Sequence, residues 1–110
     1  MKNIFIGVNY GTSNLIHKWY ESISSLTTEY EIYLVDNYSS DHERIMAKKI
    51  CEELDIEFIQ SENVGYGQAL NKCLRVIRNR YGKRENFLIL AGNIDIRFIK
   101  LSLELPNGNY

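Results

Sequence analysis

Four short apolar runs alternate with three amphipathic stretches along nearly the whole chain, and this alternation limits the fold more than any other feature. The runs are "NIFIGVN" at 3–9, "EIYLVDN" at 31–37, "IEFIQ" at 56–60 and "NFLILAGN" at 86–93. Each is dense in apolar residues, as strands buried on both faces are. Between the first two, Leu15, Ile16, Trp19, Tyr20 and Ile23 recur at helical spacing, with Thr12 and Ser13 ahead of them as candidate caps. Met46, Ala47, Ile50, Cys51 and Leu54 form a second stripe. Ala69, Leu70, Cys73, Leu74 and Ile77 form a third, after which Gly82 offers a left-handed stop. Strand–helix–strand units of this length join by right-handed crossovers. The pattern therefore predicts an α/β fold, a three-layer, doubly wound and mainly parallel sheet. No repeat or linker interrupts it, and 110 residues suffice for one core, so 1–110 reads as a single domain.

Charge and cysteine usage exclude several classes of function. A formal net charge of −1 gives no reason to expect a nucleic-acid polymer or an anionic membrane as partner. No apolar run is long enough to span a bilayer, and the one at the N-terminus is too short for a secretory signal, which suggests a cytoplasmic setting. Cys51 and Cys73 lack CxxC spacing and fall on helix stripes, as reduced core thiols do. The stretch 96–110 reads as either helix or strand until Pro106 and Gly108 end it.

In open α/β sheets, ligands bind outside the carboxyl ends of the strands. Here those ends are "NYGTS" at 9–13, "DNYSSD" at 36–41, "SENVGYG" at 61–67 and "GNID" at 92–95, all polar or glycine-rich. Asp36 holds the last strand position, where a carboxylate can accept from a base N–H or a ribose hydroxyl, or can close an Asx turn. Ser40 and Glu43 have capping-box spacing, and Asp41 suits the positive end of the second helix.

"ENVGYGQALN" is not a dinucleotide fingerprint, because Leu70 stands at the third glycine position and the stretch follows the third strand. It remains a glycine-rich turn that can aim N–H groups at an anion or simply lead a strand into a helix. In "GNID", Asp95 could be a hard oxygen ligand for Mg²⁺ or Mn²⁺ bridging to a diphosphate, with Asn93 as neutral helper; the alternative is an acid capping the next helix. The basic run Lys72, Arg75, Arg78, Arg80, Lys83 and Arg84 reads as a solvated face near a helix C-terminus. His17 and His42 pair with no serine or cysteine in a nucleophilic arrangement.

Taken in order, "VNYGTSNLIHKWYESI", "YLVDNYSSD", "ENVGYGQALNKCL" and "FLILAGNID" resemble the recurring pattern of the family 2 glycosyltransferases, and within them the rhamnosyltransferase-like group. The likeness runs to about Ile96. It implies a GT-A nucleotide-diphospho-sugar-binding half that holds a UDP- or dTDP-sugar for inverting transfer to an acceptor hydroxyl. By this likeness Asn9 and Tyr10 would lie against the base, and Asp36 would bind the uracil or thymine and the ribose. Asn63, Gly65 and Gly67 would flank the nucleotide. Asp95, with Asn93, would be the surviving acid of the metal motif, and Mg²⁺ or Mn²⁺ would arrive with the nucleotide sugar. The acceptor would be a carbohydrate or glycolipid, which adds the inner face of the membrane as a second location. The family's acceptor region and catalytic base lie downstream of the acidic motif. The resemblance therefore implies a truncated fold, either a fragment of a longer enzyme or a short relative that binds donor without transferring it, and no residue is nominated as catalytic. A competing expectation is a non-catalytic binding or assembly module, whose uncovered fourth strand could pair with a second copy.

Overall fold

Residues 2–82 and 87–95 are described by the structure, a computed structural model. Strand β1 spans Lys2–Asn9, and a 3₁₀ turn at Ser13–Leu15 leads into α1 at Ile16–Ser24. Then follow β2 (Glu31–Asn37), α2 (Asp41–Leu54), β3 (Glu57–Ser61), α3 (Tyr66–Tyr81) and β4 (Phe87–Asn93). All the pairings are parallel and the strand order is β3-β2-β1-β4. The chain thus moves outward from β1 to β3, then crosses back to place β4 on the other side of β1.

Strand periodicity sorts the core into two layers. Phe5, Ile32 and Leu34 face α1 and α2, where they meet Trp19, Ile23, Ala47 and Ile50. Ile4, Ile6, Val8, Tyr33 and Val35 face α3, where they meet Ala69, Cys73 and Ile77. The expected three-layer, parallel architecture is what forms. Two-face burial holds for β1 and β2 but not for β4, which leaves Leu88 and Ile89 47% and 39% exposed. The helix stripe of α3 covers the middle of the sheet, not its β4 end.

Local signals fared unevenly. Ser40 caps α2 as expected, its Oγ accepting from Glu43 N at 3.2 Å. Glu43 does not complete the box; its carboxylate accepts from Ser13 N at 3.1 Å, in the loop after β1. Thr12 and Ser13 make no side-chain cap on α1, because both are drawn into contacts with Asn9. Gly82 does end α3, at φ +74°, a conformation open to glycine. Cys51 and Cys73 are buried free thiols. Burial, helped by the Asp36 carboxylate for Cys51 and by Glu57 for Cys73, pushes each up to about 12. The helix-or-strand stretch at 96–110 and the basic residues Lys83 and Arg84 lie outside the described residues. Among the described residues no helix is long and apolar enough to cross a membrane.

Candidate functional site

The reversal of strand order creates a crevice between the C-terminal ends of β1 and β4. Loops that leave two adjacent strands in opposite directions cannot fill the space between them, and ligands settle there. A cleft of about 270 Å³ lies at this point, lined by Val8, Tyr10, Thr12, Asn93 and Asp95. Val8 pairs with Asn93, and Ile94 N donates to Val8 O at 3.3 Å, so the two walls are joined at their base. Gly11, at φ +67°, lets the β1 loop turn back over the strand end. Tyr10 is 55% exposed, and Asn93 and Asp95 are exposed beside it. The cleft therefore offers an aromatic face, an amide and a carboxylate to a ligand.

Beneath the β1 wall lies a buried polar network. Asn9 and Asp36, neighbours in the β1–β2 register, are both fully buried. Asn9 Nδ2 donates to Asp36 Oδ1 at 3.0 Å and to Ser13 Oγ at 3.1 Å. Asn9 Oδ1 accepts from Thr12 N at 3.2 Å and from Thr12 Oγ1 at 2.9 Å. The other Asp36 oxygen accepts from Arg44 Nε at 2.8 Å. Burial of so many polar atoms is tolerable because they satisfy one another.

This geometry shows what the two residues expected at the nucleoside do within the protein. The Asn9 amide has both hydrogens and its oxygen committed within the protein, and Asp36 has both oxygens engaged and no exposed surface. As placed, neither offers an uncommitted polar atom to a ligand, and both brace the loop that carries Tyr10 and Thr12. Tyr10, Asn93 and Asp95 are brought together as the sequence suggested. Asn63, Gly65 and Gly67 are exposed on the loop and first turn after β3, outside the cleft lining. Asn37 Oδ1 accepts from Val64 N at 3.0 Å and ties that loop to β2. Gly65, at φ +89°, is required by its backbone, whereas Gly67 has open space and no positive φ. In the basic run, Lys72 donates to the Gln60 carbonyl and Arg80 to Glu57 at 2.8 Å, so part of that face is structural.

Sequence reasoning missed Arg44, and singled out Thr12 and Ser13 as caps without foreseeing their bonds to Asn9. For Arg44 a signal existed: a cation near the N-terminus of a helix opposes the macrodipole and calls for a nearby acid.

Among the described residues no three His, Cys, Asp or Glu side chains group to hold a metal. Asp95 and Asn93 supply one charged and one neutral oxygen at the cleft. That set suits Mg²⁺ or Mn²⁺ taken with a diphosphate, since such ions keep waters and need only one or two carboxylates.

Comparison with known sequences fixes the family. Residues 6–82 match the sequence profile of Glycosyl transferase family 2. The chain belongs to glycosyl transferase family 2. The matched span carries the first three strand ends and stops before Asn93 and Asp95. No curated protein matches the chain. Among solved structures, it is similar to "Mannosyltransferase PcManGT from Pyrobaculum calidifontis in complex with GDP-Man and Mn2+", with 23% identity and a TM-score of 0.54. The similarity covers 68% of this chain and 24% of that one, so the chain spans about a quarter of that protein's length. The likeness places this family 2 chain in the GT-A fold.

Proposed function

We propose that this family 2 chain is the donor-binding part of a glycosyltransferase, and that the cleft between β1 and β4 holds a nucleoside-diphosphate sugar. The observation that carries this reading is the convergence of Tyr10, Thr12, Asn93 and Asp95 at the topological switch point of a family 2 sheet. Tyr10 lies against the base. Asp95, with Asn93, holds Mg²⁺ or Mn²⁺ together with the diphosphate; when bound, the cation offsets the charge of the departing diphosphate. The donor extends along the sheet edge toward Asn63, Gly65 and Gly67. Asn9 and Asp36 support the β1 wall from below. The solved relative holds GDP-Man and Mn²⁺, which supports a nucleotide-sugar donor and a divalent cation.

The finer reading keeps a UDP- or dTDP-sugar as donor, rhamnosyltransferase-like and inverting chemistry, a carbohydrate or glycolipid acceptor and a cytoplasmic setting. Titration calorimetry of the folded chain with UDP, dTDP and GDP, each with and without Mn²⁺, tests it. Binding of UDP or dTDP that tightens with Mn²⁺ supports it; GDP alone binding moves the donor class. No binding of any of the three at millimolar concentration overturns it. The second reading, an assembly module, draws on the apolar Leu88 and Ile89 exposed on β4. A sedimentation series showing self-association but no nucleotide binding would favour it.

A further inference from the structure

We propose that Arg44 is a positioning residue for the donor cleft, acting through Asp36 and Asn9 on the loop at residues 10–12. The inference rests on reading the cleft as the donor site. No part of Arg44 lines the cleft, yet an unbroken chain of hydrogen bonds leads from its guanidinium to the cleft wall.

Arg44 sits at the start of α2, its side chain 17% exposed, with the guanidinium 4.8 Å from the Tyr38 ring centroid. Nε donates to Asp36 Oδ2 at 2.8 Å, while one terminal nitrogen donates to the Asp36 carbonyl at 3.1 Å and to the Ser61 carbonyl. The fork thus spans the ends of β2 and β3 and holds the Asp36 side chain in one orientation. A lysine, as a point charge, cannot reach all three acceptors in that plane.

The next links have fixed polarity. A carboxylate only accepts, so Asp36 Oδ1 selects the Nδ2 end of the Asn9 amide at 3.0 Å. That choice leaves Asn9 Oδ1 facing Thr12, where it receives both the backbone N–H and the hydroxyl. Thr12 and its neighbour Tyr10 are cleft residues. If Asp36 were free to rotate, the Asn9 amide would keep only its contacts to Thr12 and Ser13, and the loop would lose the strand-borne end of its tether. A ligand would then have to order residues 10–12 as it binds, which lowers affinity.

The test uses the full chain, with UDP, dTDP and GDP plus Mn²⁺ as probes. Arg44→Gln should weaken binding of the best probe about tenfold, the scale set by ordering one or two loop residues. Thr12→Val, which removes the hydroxyl, should weaken it severalfold. The double variant should bind no worse than Arg44→Gln alone, because both changes cut one chain; fully additive losses would mark Arg44 as merely structural. Unchanged affinity in folded Arg44→Gln overturns the proposal.

A second measurement needs no ligand, and its first arm needs no variant. In the wild type, the Asn9 side-chain amide protons should exchange far more slowly than those of exposed Asn63. Equal exchange overturns the proposal. In Arg44→Gln, amides at residues 10–12 should exchange faster while those of α3 stay unchanged. Should the wild type bind no nucleotide, the donor-site reading fails, and the exchange data still decide whether Arg44 orders this loop.

Discussion

A Cβ placed on Gly7 would lie 2.6 Å from Cζ2 of Trp19 and 2.7 Å from Cγ2 of Ile94. Gly7 is flanked by paired strands on both sides, with Leu34 across β2 and Gly92 across β4, so its backbone cannot retreat. Trp19 is 1% exposed and Ile94 fully buried, so neither has room to move. The packing seats α1 on the sheet, and through Ile94 it fixes where the chain leaves β4 towards Asp95. Gly7→Ala should destabilise the fold by about 1–3 kcal/mol, the usual cost of overpacking a filled core. A urea titration followed by the fluorescence of Trp19, the only tryptophan, reads this directly. An unchanged midpoint would mean the indole has another place to go.

How much of this was legible beforehand depended on distance along the chain. Apolar density placed β2 at its observed limits, and the helical stripes of Ala47, Ile50 and Cys51 and of Ala69, Cys73 and Ile77 are the buried faces of α2 and α3. The polar edge at the strand ends followed from the alternation, whereas the cleft between Tyr10 and Asp95 depended on the strand order, which the structure supplies. Pairings across strands were not legible. Asp36 looked free because its nearest neighbours are polar loop residues; its partners, Asn9 and Arg44, come from another strand and from the next helix. For the same reason Glu43 was assigned to Ser40 and not to Ser13, 30 positions away. The exposure of β4 escaped because an apolar run looks alike whether or not a helix covers it.

Asp95 is exposed at the cleft, where on the proposed reading it and Asn93 would offer oxygens to the cation. Its contribution to donor binding is therefore expected to run through the cation. Asp95→Asn should reduce nucleotide affinity about tenfold in Mn²⁺, as loss of a charged metal ligand does, and leave affinity in chelator unchanged. Calorimetry in both conditions separates the terms. An equal loss with and without Mn²⁺ would assign Asp95 to the nucleotide itself.

At the opposite edge of the sheet, Glu31 ties three elements together. It accepts from Lys2 Nζ at 2.9 Å, from the Tyr33 hydroxyl at 2.8 Å and from the Tyr81 hydroxyl. Burial pushes its carboxyl upward, but the bonds from Tyr81, Lys2 and Tyr33 outweigh burial and hold it below its ordinary value. A depressed folded value means that the stabilisation is present above the unfolded value, near pH ~4.3, and is lost as pH falls through the folded one. Glu31→Gln should thus cost about 1 kcal/mol at pH 7 and progressively less in acid. Denaturation midpoints from pH 7 to pH 3 check the slope. Because the cluster is remote from the cleft, nucleotide affinity should stay as in the wild type.

Cys51 and Cys73 lie in different layers, the first under α2 and the second under α3, and both are fully buried. With each thiol pushed up to about 12, only roughly one in 10⁴ is thiolate at pH 8, and that fraction has no path to a reagent. Alkylation by iodoacetamide at pH 8 should therefore wait on opening of the fold. Two adducts should appear within minutes in denaturant, and none on that timescale in native buffer, as mass spectrometry resolves. Gly7→Ala, by loosening the layer of α1 and α2, should speed labelling of Cys51 more than that of Cys73. Equal acceleration at both sites would show that the two layers open as one cooperative unit.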